Sequence, residues 1–135
     1  MQFFKVRSNG SNSANYKTVH ENAQILYRNI ASKSKRRPYI RSIYFKKQKI
    51  FIALFWQHLF DKNWKERVRR LQYFECGFEL IEKTTYPPLT IQNPHKSSEL
   101  LHRFCGITPR GIIFFVQIKE CKKTGEKSLI SIFPR

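Results

Sequence analysis

The apolar positions along the chain change period three times. Between Thr18 and Ser32 they fall at Val19, Ala23, Leu26 and Ile30, steps of four, three and four that mark one face of a helix. Thr18 and Glu21 stand three apart at its start, the spacing of a capping box in which each residue satisfies an orphan backbone N–H of the other. A first helix is therefore expected over residues 19–32. Residues 1–16 have no apolar period, and Ser8 to Asn15 is rich in Ser, Asn and Gly, so they are expected as a loose leader dispensable for folding.

After a basic connector closed by Pro38, two β-rich runs, residues 39–45 and 49–55, flank Lys46-Lys47-Gln48 and predict a hairpin or two short strands. The period then returns to helical. Trp64, Val68, Leu71, Phe74, Phe78 and Ile81 predict a long helix from about Gln57 to Lys83, with a break at Asp61–Asn63. Pro87-Pro88 ends it, and Pro94 lies in the loop beyond. The last third is β-rich over residues 102–108, 112–119 and 128–133, separated by Pro109-Arg110-Gly111 and by a second turn holding Lys123-Thr124-Gly125-Glu126. The order helix, two strands, long helix, three strands predicts an α+β fold. One domain over residues 17–135 would pack its helices on one face of a twisted antiparallel sheet with a C-terminal three-strand meander.

Charge changes the picture. The 135 residues hold 26 Lys+Arg against 9 Asp+Glu, a formal surplus of +17. A chain with 41% hydrophobic residues and twelve Phe is not a disordered basic tail. The charge lies in residues 33–41, 46–49, 62–70 and 119–127, between the apolar segments rather than at one end. Such a surplus repels itself and costs stability, which points to a polyanionic partner. Nucleic acid, held through its phosphates, is the leading expectation; an acidic protein is the alternative. No apolar run approaches the roughly 20 residues of a membrane span, and the N-terminus lacks a signal-peptide core. Three cysteines with no C-x-x-C suggest a reducing, cytoplasmic setting.

Candidate chemistry is narrow. The five glycines form no phosphate-cradling motif, and nine carboxylates argue against a multi-carboxylate metal site, so no cofactor or metal is expected. Any phosphoryl chemistry would rest on His, Lys, Arg and hydroxyls, with RNA's own 2′-OH as nucleophile. His58, at the expected start of the long helix, is the first candidate for acid–base work. Arg103, Lys119 and Ser131, one on each strand of the meander, are the candidates on the sheet. Lys62, Lys65, Arg67, Arg69 and Arg70 form a basic helix face suited to phosphate. His102 joins these contacts, although alternation lets only one of His102 and Arg103 face a given site.

The long helix followed by three strands, over roughly residues 39–135, resembles the barnase–EndoU–colicin–RelE group of small metal-independent ribonucleases, in particular its phage-associated and RelE-like toxin branch. The resemblance implies a metal-independent endoribonuclease with a site at His58, Arg67 or Arg70, Arg103, Lys119 and Ser131. It also implies an acidic antitoxin or inhibitor protein as partner. Phe133 stands where a C-terminal tyrosine is found in RelE, and Glu120, at a strand end, is the nearest counterpart of a catalytic Glu. A non-catalytic nucleic-acid-binding module, or a basic protein with an acidic protein partner, are the competing expectations.

Overall fold

Strand Ile113–Cys121 (β6) divides the molecule into two faces. Phe114, Val116 and Ile118 are fully buried, while Phe115, Gln117 and Lys119 between them stay partly accessible. The computed structural model describes residues 2–11 and 13–135. In chain order its elements are β1 (Phe4–Lys5), α1 (Tyr16–Ser32), β2 (Tyr39–Ser42), β3 (Gln48–Phe51), α2 (Ala53–Phe60), α3 (Trp64–Leu71), α4 (Phe74–Lys83), β4 (Leu89–Gln92), β5 (Glu99–Ile107), β6 and β7 (Lys127–Pro134). The fold is α+β. The strands form one sheet in the order β1-β5-β6-β7-β3-β2, with β4 also paired to β5.

The C-terminal meander β5–β6–β7 is antiparallel, as the short turns between its strands predict. The sheet as a whole is mixed, because β1 runs parallel to β5 and β3 parallel to β7. The β3–β7 pairing lasts only two residue pairs, Ile50 with Lys127 and Phe51 with Ser128, before the chain turns into α2. The C-terminal half of β7 is thus left beside α2 and α3 rather than another strand. Arg69 Nη2 donates there to the carbonyls of Pro134 (3.4 Å) and Arg135 (3.2 Å).

The helices cover the face that carries Phe104, Phe114, Val116, Ile118, Leu129 and Ile132, and their own buried residues (Val19, Phe55, Leu59, Val68, Leu71, Phe74, Phe78, Ile81) close the core. The expected long helix is three helices. Asn63 ends the first break by capping α3, its side chain accepting from the Glu66 N–H at 2.9 Å. The helical period survives from Val68 to Ile81, but Trp64 opens α3 and is 60% exposed. The residues expected to extend a strand to Phe55 instead start α2. The first helix begins at Tyr16, capped by Asn15 accepting from the Thr18 N–H (3.3 Å), and not by the Thr18–Glu21 pair. The β2–β3 turn holds Lys46 and Lys47 at φ 57° and 64°, left-handed backbone that glycine adopts more easily.

Two segments escape the sequence patterns. The expected leader is docked where the structure describes it, Met1 and Asn12 lying outside the described residues. Val6 is buried, Phe4 and Lys5 pair with Gly106 and Ile107, and Glu79 accepts the Arg7 and Ser8 N–H groups at 2.6 and 3.1 Å. Residues 89–92, expected as loop, form β4 on the outer edge of β5.

Two outcomes follow. Removing residues 1–11 should lower the melting temperature by about 5–10 °C, the scale of one lost buried aliphatic in a domain of this size, when followed by circular dichroism. Gly106→Ala should destabilise by about 1–3 kcal/mol in a urea titration. A Cβ at Gly106 would come within 2.4 Å of the buried Phe114 ring, which has nowhere to go.

Candidate nucleic-acid interface

The face of the sheet turned away from the core is built by register. One row runs Leu89–Arg103–Gln117–Ser131 across β4, β5, β6 and β7. A second runs Ile91–Leu101–Lys119–Ser128 across the same strands and continues through Phe51 to Tyr39 on β3 and β2. Ser131 owes its place here to an irregularity. Gln117 pairs with Ser131 but Ile118 pairs with Leu129, so Ile130 is an extra residue in β7. Without that bulge, Ser131 would share the buried face of Leu129. The bulge shifts the alternation and brings Ser131 and Phe133 to the open face.

Arg103 Nε and Nη2 both donate to Gln117 Oε1, at 3.3 and 3.0 Å. From the flank, Arg70 on α3 donates through Nη1 to Ser131 Oγ at 2.7 Å and through Nε to Glu66 Oε1 at 3.0 Å. The two guanidinium groups converge on one ring, lying 5.2 Å (Arg70) and 5.5 Å (Arg103) from the centre of Phe133. Phe115 packs beside it at 5.5 Å. Leu89 and Ile91, half exposed, continue the surface as an apolar margin. Lys119 lies on the same face and is tied to Glu99 at 3.3 Å. Burial alone would push the Glu99 carboxyl up, but Lys119, Asn93 and Lys96 outweigh it and hold the group below its ordinary value.

Of the residues expected from sequence, Arg103, Ser131, Arg70 and Lys119 therefore share one face. Lys62 and Lys65 are exposed around the start of α3, and Arg69 is held at the C-terminal end of β7. The two histidines stand apart. His58 is exposed on α2, whose buried side is Phe55 and Leu59, and the contacts among the described residues do not join it to Arg103, Lys119 or Ser131. His102 faces the core side, as alternation with Arg103 requires. Its Nε2 lies 2.9 Å from Glu120 Oε1 and its Nδ1 2.7 Å from Thr90 Oγ1. Arg67 turns back to the helix junction, donating to the carbonyls of Lys62 (2.8 Å) and Phe60 (2.7 Å). The Phe60 carbonyl ends α2 and the Lys62 carbonyl lies in the junction beyond it, so Arg67 is a structural cap.

Chemically the face offers two guanidinium groups for phosphate, a hydroxyl and an amide for polar contacts, and ring and guanidinium planes on which a base can stack. A carboxylate, Glu66 on α3, flanks the patch, shared between Arg70 and Arg69, and a second, Glu99, is tied to Lys119. Among the described residues no group of three or more His, Cys, Asp and Glu is placed to hold a metal ion. Sequence reasoning gave Gln117 no role beyond its polar place on the open face, and it missed Tyr39, Arg41, Lys49 and Phe51, where an aromatic and a cation alternate at period two on both strands of the hairpin. That period was the available signal. Comparison with protein-family models, curated proteins and solved structures finds no match for this chain.

Arg67 and Arg70, three residues apart, should behave differently. Arg67→Ala should cost about 1 kcal/mol of stability, the scale of an exposed charge-assisted hydrogen-bond pair, in a denaturant titration. Its effect on RNA affinity should be small beside that of Arg70→Ala, measured in the same buffer.

Proposed function

We propose that the protein binds single-stranded RNA across the open face of its sheet. The observation that carries this is the convergence of Arg70 and Arg103 on Phe133, above Ser131 and Gln117. Guanidinium groups recognise phosphate bidentately, and exposed rings and guanidinium planes accept unstacked bases. The Ser131 hydroxyl accepts from Arg70 and keeps its own proton to donate to an RNA oxygen. The +17 surplus supplies the long-range attraction. A cytoplasmic location, where RNA is abundant and thiols stay reduced, accompanies this reading.

A second reading, the metal-independent toxin-type endoribonuclease of the barnase–EndoU–colicin–RelE resemblance, is favoured by one feature of the same face. Two guanidinium groups flank a hydroxyl with a carboxylate, Glu66, 3.0 Å from one of them. There Glu66 would take the 2′ proton and Arg70 and Arg103 would stabilise the charge gathering on phosphorus. An acidic neutralising protein belongs to this second reading, because a basic cleaving surface must be covered in its host. The binding reading ranks first because His58 and His102, the two histidines expected at the site, lie away from the patch.

Fluorescence anisotropy with a labelled single-stranded RNA over a salt series is the test. Affinity should fall steeply and linearly on a logarithmic salt axis. Arg103→Ala and Arg70→Ala should each weaken binding by about tenfold, the scale of a lost stacking or phosphate contact, while His58→Ala should leave it unchanged. Salt-independent binding, or wild-type affinity in both arginine variants, would sink the proposal. Running the same RNA on a gel after incubation in EDTA separates the two readings: fragments ending in 2′,3′-cyclic phosphate would promote the nuclease.

A further inference from the structure

At the far end of the open face lies a cleft of about 580 Å³ between the connector after α1 and the β2–β3 hairpin. Five cations line it, Lys33, Lys35, Arg36, Arg37 and Lys49, and its lining contains no carboxylate. The floor is aromatic. The Arg37 guanidinium lies 3.8 Å from the centre of the Phe51 ring, and Lys49 Nζ lies 4.6 Å from that of Tyr39. Arg37 also reaches outside the cleft to Glu126 at 2.6 Å. Lys49 is thus positioned by a ring rather than by an anion, so it is ordered without being neutralised. Ordering a long cationic side chain in advance lowers the entropy lost when an anion arrives. Five cations facing one cleft repel one another, and a polyanion relieves that repulsion.

Strand register connects the cleft with the Arg70–Arg103 patch along one face of the sheet. Phe51 on its floor pairs with Ser128, Ser128 pairs with Lys119, and Lys119 stands two residues from Gln117 on the same face of β6. From β2 to β5 there are four strand spacings, about 19 Å along the sheet. We propose that this cleft is a second phosphate-binding locus, and that one single strand of RNA runs across the β-strands from the Arg70–Arg103 patch, past Lys119, into it. The inference rests on the RNA-binding reading and adds the path and the length of RNA engaged.

The experiment compares a short RNA of about four nucleotides with a long one of about sixteen, the range of single-strand grooves. It uses the triple variant Lys35→Gln/Arg36→Gln/Lys49→Gln in the full chain. All three side chains are exposed, and a thermal melt checks that the fold persists. Arg37 is kept because of its bond to Glu126. The triple variant should bind the long RNA at least tenfold more weakly and bind the short RNA, which the patch alone can hold, as the wild type does. Its salt dependence with the long RNA should flatten by about two, at about 0.7 per lost phosphate contact.

A third arm titrates inorganic tripolyphosphate, the same phosphate chemistry from a free source. If the triple variant loses tripolyphosphate binding but keeps the long RNA, the cleft serves a free polyphosphate and the path is overturned. If the long RNA is unaffected while Arg103→Ala weakens both RNAs, the path is overturned and RNA binding at the patch stands. If neither set of variants weakens either RNA, the RNA-binding reading itself fails, which is a different result from failure of the path.

Discussion

Burial of Phe114, Val116 and Ile118 on one face of β6 is the constraint from which the rest follows. Each contributes about 1.5–3 kcal/mol by leaving water, and each is fully buried under the helices. A slip of one residue in register would exchange that face for Phe115, Gln117 and Lys119, so the core sets the pairing of β5 and β7 against β6. Once that pairing is set, Arg103, Gln117 and Ser131 must lie side by side. The composition of the open face is thus a by-product of core packing at every position but one. At Ile130 the bulge breaks the period, and Ile132 still enters the core while Ser131 and Phe133 leave it. A strand in strict register could not bury both Leu129 and Ile132.

The core side ends in a polar cluster that explains why His102 is withdrawn from the open face. His102 lies between Thr90 and Glu120, and Lys127 lies 3.6 Å from the same Glu120 oxygen while donating to Gln48 and the Gly125 carbonyl. The β2–β3 turn closes over it, setting Phe45 5.1 Å from the His102 ring and 4.9 Å from Lys127 Nζ. With Glu120 as acceptor, Nε2 carries a proton, and a neutral ring then accepts the Thr90 hydroxyl at Nδ1. Every buried polar side-chain atom among the described residues has a partner, so the cluster joins β4, β5, β6 and β7 to the hairpin without leaving an orphan.

How much of this was legible in the sequence depends on the range of the interaction. The meander was legible because its β-rich runs and turn residues are local signals, and alternation within a strand correctly set Arg103 and His102 on opposite faces. The buried helical run Val68 to Ile81 was legible for the same reason. Trp64 fits that period yet is exposed, because period reports a face and not whether the core extends beneath its first turn. Strands β1 and β4 were not legible. Each is short and sits on an edge of β5, and Leu89 and Ile91 face outward, so neither strand carries a buried stripe of its own. The site was half legible. Register brought Arg103, Lys119 and Ser131 to one face, but the contribution of Arg70 depends on the free half of β7 against which α3 lies. His58 looked adjacent because the strand before it was expected to run on to Phe55. The chain enters α2 at Ala53 instead and carries His58 onto an exposed helix face.

The charge surplus takes its direction from where the few carboxylates are spent. Glu79 receives the backbone of residues 7 and 8, Glu66 divides itself between Arg69 and Arg70, and Glu120 holds His102 and Lys127. Glu99 takes Lys96 and Lys119, and Glu126 takes Arg37. Five of the nine acidic residues are thus engaged in fixing a terminus, a helix or a strand end. Glu75, Glu79 and Glu82 all lie on α4, on the helical side of the sheet. Burial raises the Glu82 carboxyl above its ordinary value despite nearby Lys83 and Lys33. Arg70, Lys119 and Arg37 thus each have a carboxylate partner, whereas two other cations of the open face meet rings and an amide: Arg103 meets Gln117 and Phe133, and Lys49 meets Tyr39. Such partners orient a positive charge without cancelling it. A surface ordered in that way keeps its electrostatic attraction for a polyanion while losing little entropy on binding one.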